Sequence, residues 1–146
     1  MKREDCFIDA TGIDPNMLLQ SWRWLTGLGE FTILKVTAVG DAFLKDVHGH
    51  VFFLDVRKGQ FTQIAESESD FSEKLNVRAN RDQWLSAHFI QLAGGGRPAL
   101  GRGQCWGWKI PFFLGGKVER ENAEPSDLIA YHSILGQLFQ QARDKQ

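Results

Sequence analysis

Three aspartates occupy positions from which acid–base chemistry could be built. Asp41, Asp46 and Asp55 lie where short extended segments meet turns, and two carboxylates brought together can act as a general acid and a general base. Aspartate is also a residue that turns favour, because its side chain bonds nearby backbone groups. No nucleophile elbow, zincin helix or other catalytic signature accompanies these acids. The sequence therefore predicts no catalytic residue.

Two histidines, His48 and His50, flank a glycine at the tip of a predicted hairpin. Zinc sites require three or four ligands, and the two cysteines, Cys6 and Cys105, are far from the histidines in sequence. We predict no metal and no other cofactor, and we expect exposed turn histidines. Two widely separated cysteines also give no disulfide framework, which indicates a reducing compartment.

The glycine-rich segment 94–103, GGGRPALGRG, has two glycines at the spacing of a phosphate-binding loop. Such a loop needs Lys and then Ser or Thr after its second glycine, and a helix behind it. Here Arg102 and Gly103 follow Gly101. A flexible connector is the better interpretation.

The segment 104–116, QCWGWKIPFFLGG, places Lys109 between aromatic residues and a Gly-Gly pair. A lysine beside aromatic walls and a glycine turn can hold an anion or a flat ligand. The alternative is a scaffold role, with Gly115 and Gly116 at positive φ, Lys109 lying over a tryptophan and Gln137 bonding backbone. The aromatic pair Trp106 and Trp108 fits either a core or a partner surface.

Periodicity predicts the elements that position these residues. Apolar spacing of three and four indicates a helix at 14–26, alternation of period two indicates strands at 31–39, 42–46, 51–56 and 60–65, and Gly-containing turns join them into an antiparallel meander. A short helix capped by Ser67 and a helix at 81–93 capped by Asn80 follow. The expected inward stripe of the longer helix is Leu85, Phe89 and Leu92.

The last third of the chain predicts one more strand and one more helix. A strand from 104 to 110 would place Trp106, Trp108 and Ile110 on one face, and Pro111 would end it. A helix at 127–143 completes the chain, and its first turn, LIAY, is equally compatible with a strand. The pattern is α+β: a single domain, 1–146, in which several α-helices pack on an antiparallel β-meander sheet.

Composition narrows the class of partner. The net charge is −1 and the isoelectric point is near 6.4, which argues against nucleic acid because phosphate binding needs a basic face. No apolar run suggests a secretory signal or a membrane span. We expect a cytoplasmic protein that contacts neither nucleic acid nor membrane.

The motifs after residue 102 resemble a known family. A Gly-Gln-aromatic stretch, then Lys-x-Pro-x-x-Leu-Gly-Gly, an Asn and a Gly-Gln in the last helix are typical of the C-terminal domain of type VI secretion immunity proteins of the Tdi kind. Upstream segments such as SWRWLTG and TAVGDAFLKDVHGHVFFLDV also resemble that family, and the layout is distantly similar to the SUKH (Smi/Knr-like) superfamily. The matching residues are Gly103, Gln104, Lys109, Pro111, Leu114, Gly115, Gly116, Asn122, Gly136 and Gln137.

The resemblance implies a binder and not an enzyme: an immunity protein that neutralises a cognate secreted toxin, a nuclease being one candidate class. Family members often carry an extra N-terminal GAD-like region, and we expect none in this protein because the sequence before the matching motifs is short. An inhibitor of a nuclease often presents acids to a basic active site, although such acids also occur on ordinary solvated faces. The candidate acids are Glu66, Glu68, Asp70 and Glu73, and also Glu119, Glu121 and Glu124.

A second hypothesis remains beside the first. A small-ligand-binding or enzymatic domain would use a cleft near Lys109 and the Gly115-Gly116 turn. We expect Trp108, Pro111, Leu114 and the glycines to be scaffold, and Lys109 to be the residue with most functional potential.

Overall fold

Alternating apolar side chains build a four-stranded antiparallel meander, ordered β1-β2-β3-β4, in the computed structural model, which describes residues 2–145. The predicted α+β fold is confirmed. The first strand is shorter than expected, because residues 37–40 form a turn in which the amide of Gly40 donates to the carbonyl of Thr37. The strands are β1 Phe31–Val36, β2 Ala42–Asp46, β3 Val51–Asp55 and β4 Gln60–Ala65.

The two faces of this sheet enter two different apolar clusters, because successive residues of a strand point to opposite sides. Phe43 of β2 enters one cluster, whereas its neighbour Leu44 enters the other. Phe53 and Leu54 of β3 divide in the same way. Helices cover both faces, so the sheet is the middle of three layers.

The first helical layer is built from the two ends of the chain. Asp14 caps α1 (Pro15–Leu19) by accepting from the amide of Asn16 at 2.9 Å. A 3-10 turn, Gln20–Trp22, then separates α1 from α2 (Arg23–Thr26), so the single helix predicted at 14–26 is interrupted. The long helix α6 (Leu128–Asp144) packs against this segment, and Asp127 caps it.

The second helical layer consists of α3 (Glu68–Lys74), α4 (Arg78–Trp84) and α5 (Ala87–Gly94). The predicted cap of α3 is confirmed, since the Ser67 hydroxyl accepts from the amide of Asp70.

The single helix predicted at 81–93 is wrong. Ser86 adopts a left-handed conformation, with φ of 53°, and divides the segment into α4 and α5. Asn80 lies inside α4 and donates its side chain to the carbonyl of Lys74 instead of capping a helix. Leu92, expected in the inward stripe with Leu85 and Phe89, is 37% exposed.

A two-stranded antiparallel ribbon completes the structure. It joins β5 (Gln104–Trp108) to β6 (Ala123–Asp127), with Trp106 opposite Pro125. The ribbon is tied to the turn after β1 by a bond of 2.7 Å from the amide of Trp106 to the carbonyl of Ala38. The sequence did not predict β6, because Glu, Pro and Asp are depleted in strands. Among residues 2–145, no helix combines the length and the apolar character that crossing a bilayer requires.

Candidate functional site

The tryptophans of β5 occupy core positions. Trp106 and Trp108 are 4% and 5% exposed. The ring of Trp108 meets Phe89 edge-on at 6.0 Å, and the guanidinium of Arg97 lies 5.4 Å from the ring centroid of Trp106. Ile110 was expected to share their face but is 55% exposed, because β5 ends two residues earlier.

Beyond β5 the chain forms a tight loop, residues 109–118, which we name the signature loop. It starts at Lys109, whose side chain is exposed. The amides of Leu114 and Gly116 both donate to the carbonyl of Pro111 over 3.0 Å. These bonds close the loop on itself without any partner from the rest of the protein.

The two glycines of the signature loop are needed for different reasons. Gly115 has a φ of +93°, which L side chains rarely adopt. Gly116 does not have a positive φ, so the expectation for this residue is wrong. A Cβ on Gly116 would instead overlap the carbonyl oxygen of Ile110. Close backbone approach is what excludes a side chain there.

Asn122 holds both ends of the signature loop with its side-chain amide. Its Oδ1 accepts from the amide of Ile110 at 2.9 Å, and its Nδ2 donates to the carbonyls of Ile110 at 2.9 Å and Lys117 at 3.0 Å. The backbone carbonyl of Asn122 also accepts from the amide of Lys109. Because the side chain is buried and uses its acceptor and both donors, it fixes the loop backbone.

The loop backbone is held firmly, yet most of its large apolar side chains are exposed, the exception being Phe112, which is half-buried against the core. Ile110, Leu114 and Val118 are 55%, 54% and 56% exposed. Phe113 is 36% exposed and stacks on Phe139 of α6, with ring centroids 4.0 Å apart. Exposed apolar residues gathered on one segment are typical of an interaction surface.

A groove of about 340 Å³ lies between the signature loop and α6. Lys109 and Pro111 line it from the loop, residues 124–127 of β6, which include the carboxylates of Glu124 and Asp127, line a second wall, and Ile134 and Leu138 line it from the helix. In the described part of the chain Lys109 forms no ion pair and no cation–π contact. Its ammonium group is available to an external anion.

The Gly-Gln pair of α6 has one buried and one exposed member. A Cβ on Gly136 would lie 2.5 Å from the carbonyl oxygen of Ser21, and the carbonyl of Gly136 accepts from the Trp24 indole at 3.1 Å. Gln137 is exposed and donates to the hydroxyl of Ser133 at 3.1 Å. The expected bond from Gln137 to backbone is therefore wrong.

The acids around α3 are mostly engaged within the chain. Glu68 pairs with Lys45 at 3.0 Å, and Asp70 pairs with Lys74 at 3.1 Å. Glu73 is exposed and has no ion pair among the described residues. The acids that follow the signature loop, which are Glu119, Glu121 and Glu124, are likewise exposed and without ion pairs in the described chain.

Asp70 is held in its ionised form by several contacts. Its Oδ2 accepts from the amide of Glu66 at 2.9 Å, and this bond, followed by the one from Lys74, lowers the pKa of Asp70. Glu66 lies 3.8 Å from Nε2 of His50. These acids therefore form part of a local network on the surface.

His132 is a buried polar residue that sequence reasoning missed. Its Nδ1 accepts from the Trp22 indole at 3.0 Å, and its Nε2 donates to the carbonyl of Gly40 over 2.6 Å, so each ring nitrogen has a fixed role. Burial, which disfavours the charged ring, lowers the pKa of His132 to about 4. Its position four residues after Leu128, on the apolar stripe of α6, was the available signal.

Asp41, one of the candidate acids, has a structural role in a turn. It is buried, and its Oδ1 accepts from the amide of Val56 at 2.9 Å. Burial and then the charge of Asp55 raise the pKa of Asp41 well above its usual range. A cavity of about 10 Å³ beside it, lined by Arg57 and Tyr131 among others, has room for about one water molecule.

The other two aspartates also serve turns. Asp46 accepts from the amides of His48 and His50, and Asp55 accepts from the amides of Arg57 and Lys58. Within residues 2–145, no three His, Cys, Asp or Glu side chains are grouped so that they could hold a metal ion. The two cysteine thiols are buried, which raises their pKa values.

The family described as "T6SS immunity protein Tdi1, C-terminal" matches residues 65–139. This range contains the signature loop, Asn122 and the Gly-Gln pair of α6. No curated protein matches the chain.

Among solved structures, the crystal structure of Atu4351 from Agrobacterium tumefaciens is similar, with a TM-score of 0.59 and 16% identity over 84% of this chain. The chain spans 64% of the length of that solved chain. At this identity the likeness is one of fold.

Proposed function

We propose that this chain is an immunity protein that binds and neutralises a cognate toxin, because it belongs to the family described as "T6SS immunity protein Tdi1, C-terminal". The family model matches just over half of its 146 residues. It acts by occupying a surface of the toxin and not by chemistry. It works in the cytoplasm of the producing cell, without nucleic acid or membrane as a partner.

The signature loop is the observation that supports this proposal beyond family membership. Its backbone is fixed by Asn122 and by its own hydrogen bonds, while Ile110, Leu114 and Val118 are each more than half exposed. A binder needs such a prepared apolar surface, because ordering a flexible one would reduce affinity.

The toxin class that we propose is a nuclease. Such an enzyme presents a basic active site to its nucleic acid substrate, and acids on an inhibitor would complement it. The sequence offers Glu66, Glu68, Asp70 and Glu73 for contact with the active site itself, whereas contact with another part of the toxin would not require them. Three of them already have partners within the chain, so a toxin would have to compete for those groups.

Co-expression tests the proposal directly. The product of the gene adjacent to this chain's gene is induced in a host that lacks immunity, with and without this chain. We expect growth to be restored and the two proteins to co-purify at a 1:1 ratio. A toxin taken from an unrelated locus is the control and should not be neutralised. Loss of both rescue and complex formation would contradict the proposal.

A second candidate function is supported by the groove between the signature loop and α6. Its volume of about 340 Å³ suits a small ligand, and the unpaired Lys109 would bind the anionic part of that ligand, away from Glu124 and Asp127, which also line the groove. A thermal-shift screen of carboxylate and phosphate compounds would compare the wild type with Lys109→Ala. A compound that raises the Tm of the wild type alone supports this function, and equal responses of the two proteins count against it.

A further inference from the structure

Two surfaces of this molecule could contact a toxin: the signature loop and the acids around α3. They differ in whether their charged side chains already form ion pairs within the chain. We propose that the signature loop, together with the groove beside α6, is the surface that contacts the toxin, an inference that rests on the proposed immunity function. The toxin region that fits it is an apolar protuberance flanked by carboxylates. The three observations that carry this assignment are the fixed loop backbone, its exposed apolar side chains and its uncompensated positive charge.

The fixed backbone means that little order is lost on binding. Asn122 bridges Ile110 and Lys117, at the two ends of the loop, and Gly116 approaches the carbonyl of Ile110 so closely that no side chain fits between them. A segment that is already in one conformation retains more of its contact energy as affinity. Phe112 ties the loop to the apolar core, with its ring centroid 4.6 Å from that of Trp108, whereas Leu114 and Val118 are more than half exposed.

The surface has exposed apolar side chains on the loop and an apolar groove along α6. Leu114 and Val118 are 54% and 56% exposed on the loop. Ile134 and Leu138 line the groove, and Ile134 is itself 56% exposed. Interface energy concentrates where apolar anchors meet pockets and exclude water. An apolar protuberance on the toxin would fill the groove and pack against the loop.

Charge favours this surface over the acids around α3. The loop carries Lys109 and Lys117 and no acid, in a chain of net charge −1, and neither lysine has an ion pair among the described residues. Glu68 and Asp70, in contrast, already neutralise Lys45 and Lys74. Unpaired charges gain a partner on binding, whereas paired ones must first give one up.

The chain beyond the signature loop adds acidic side chains to this surface. The exposed acids Glu119, Glu121 and Glu124 come directly after the loop, and Glu124 lines the groove together with Lys109, so the surface carries charges of both signs. A toxin face with carboxylates opposite Lys109 and Lys117 therefore docks in one orientation, since the reverse would oppose like charges.

The test uses the full chain and the product of the adjacent gene, with affinity measured by calorimetry and protection measured by growth rescue. Leu114→Ser removes an apolar anchor, and the double variant Lys109→Glu/Lys117→Glu reverses the charge. Val47→Ser and Arg78→Glu are the matched controls, because Val47 is 70% exposed and the Arg78 side chain is 88% exposed, both outside the loop. Unchanged circular dichroism and Tm would establish that each variant folds.

We expect Leu114→Ser to raise the Kd at least about 10-fold. The double charge reversal should lower the association rate at least about 10-fold at low salt and weaken its salt dependence. The two controls should bind and protect like the wild type.

Three results would overturn the inference, and they can be told apart. A wild-type chain that neither binds nor protects removes the toxin as the occupant, and the proposed function fails with it. A wild-type chain that binds, with loop variants that bind equally well, places the toxin elsewhere and leaves the proposed function standing. A wild-type dimer in light scattering that becomes monomeric in Leu114→Ser assigns the surface to a second copy of this chain.

Discussion

The indole Nε1 of Trp22 donates a hydrogen bond of 3.0 Å to Nδ1 of His132, and both side chains are fully buried. The bond joins the 3-10 turn between α1 and α2 to the helix α6. Because the other ring nitrogen binds the carbonyl of Gly40, one imidazole connects three separate segments. A second ring proton would have to face the indole N–H, so the native structure accommodates only the neutral ring.

Acidification should therefore destabilise the protein through His132. The pKa is about 4 in the folded chain against about 6.5 ordinarily, so between these values the unfolded chain binds a proton that the folded chain does not. The free energy of unfolding falls as the pH falls through this window, by about 3 kcal/mol in total from this residue. Urea denaturation at pH 7 and pH 4.5 measures the change.

The variant His132→Gln separates the contribution of His132 to the pH dependence of stability from the contributions of other titrating groups. Asp41 acts in the opposite direction, because its raised pKa makes the folded chain retain a proton that the unfolded chain has lost, and its contribution falls as the pH rises. His132→Gln should reduce the loss of stability between pH 7 and pH 4.5. The exposed His48, changed to Gln, is the control. If the stability of the wild type and of His132→Gln changed equally with pH, the loss of stability on acidification would not come from His132.

Removing the Asn122 side chain should loosen the signature loop. Asn122→Ala leaves three backbone groups at Ile110 and Lys117 without their partner, and we expect a loss of about 2 kcal/mol, or about 6 °C in Tm. Scanning calorimetry measures it. Asn76→Ala, at an exposed site, is the control and should change the Tm little. A Tm equal to that of the wild type would mean that water replaces the hydrogen bonds of the Asn122 side chain.

The two loop glycines should respond differently to substitution. Gly115→Ala strains a positive φ with open space around the Cβ and should cost about 1 kcal/mol, whereas Gly115→Asn should cost less. Gly116→Ala places a Cβ on the carbonyl of Ile110, so the backbone must move and the loss should be larger. Chemical denaturation of the three variants gives the order. A smaller loss for Gly116→Ala than for Gly115→Ala would contradict the role of close approach.

The Gly-Gln pair of α6 offers a comparison between neighbours. Alanine is the better helix former by about 1 kcal/mol, yet Gly136→Ala should destabilise by about 2 kcal/mol, because its Cβ would press on the carbonyl of Ser21. Gln137→Ala removes one exposed bond to Ser133 and should change stability by less than about 0.5 kcal/mol. Thermal unfolding measures both. A gain in stability for Gly136→Ala would show that the two segments can separate at no cost.

Local signals predicted much of the fold. The alternation in β2 and β4 and the Ser67 cap depend on neighbouring residues, and the structure has them where the sequence predicts them. The break at Ser86 could not be predicted, because serine rarely adopts a left-handed conformation and tertiary packing must impose it. β6 was missed since its pairing with β5, which is what makes it a strand, involves residues far away in sequence.

Local signals in the sequence also predicted part of the candidate site. The order of its motifs marked the signature loop, but the sequence did not show that Asn122 would hold it. It also did not show that Ile110 would be exposed, because strand alternation fails where a strand ends. The likeness to the SUKH superfamily and the resemblance upstream of residue 65 remain predictions, as does the role of each acid.

Pro125 of β6 lies opposite Trp106, in a strand that is paired only with β5 within the described chain. Proline has no amide hydrogen to offer a further strand, and the charged side chains of Glu124 and Asp127 flank it. These features disfavour a partner that would extend this ribbon by adding a strand of its own through backbone pairing. Recognition at the proposed surface beside α6 would therefore depend on side chains, so that substitutions on an unchanged backbone would be enough to alter the choice of partner.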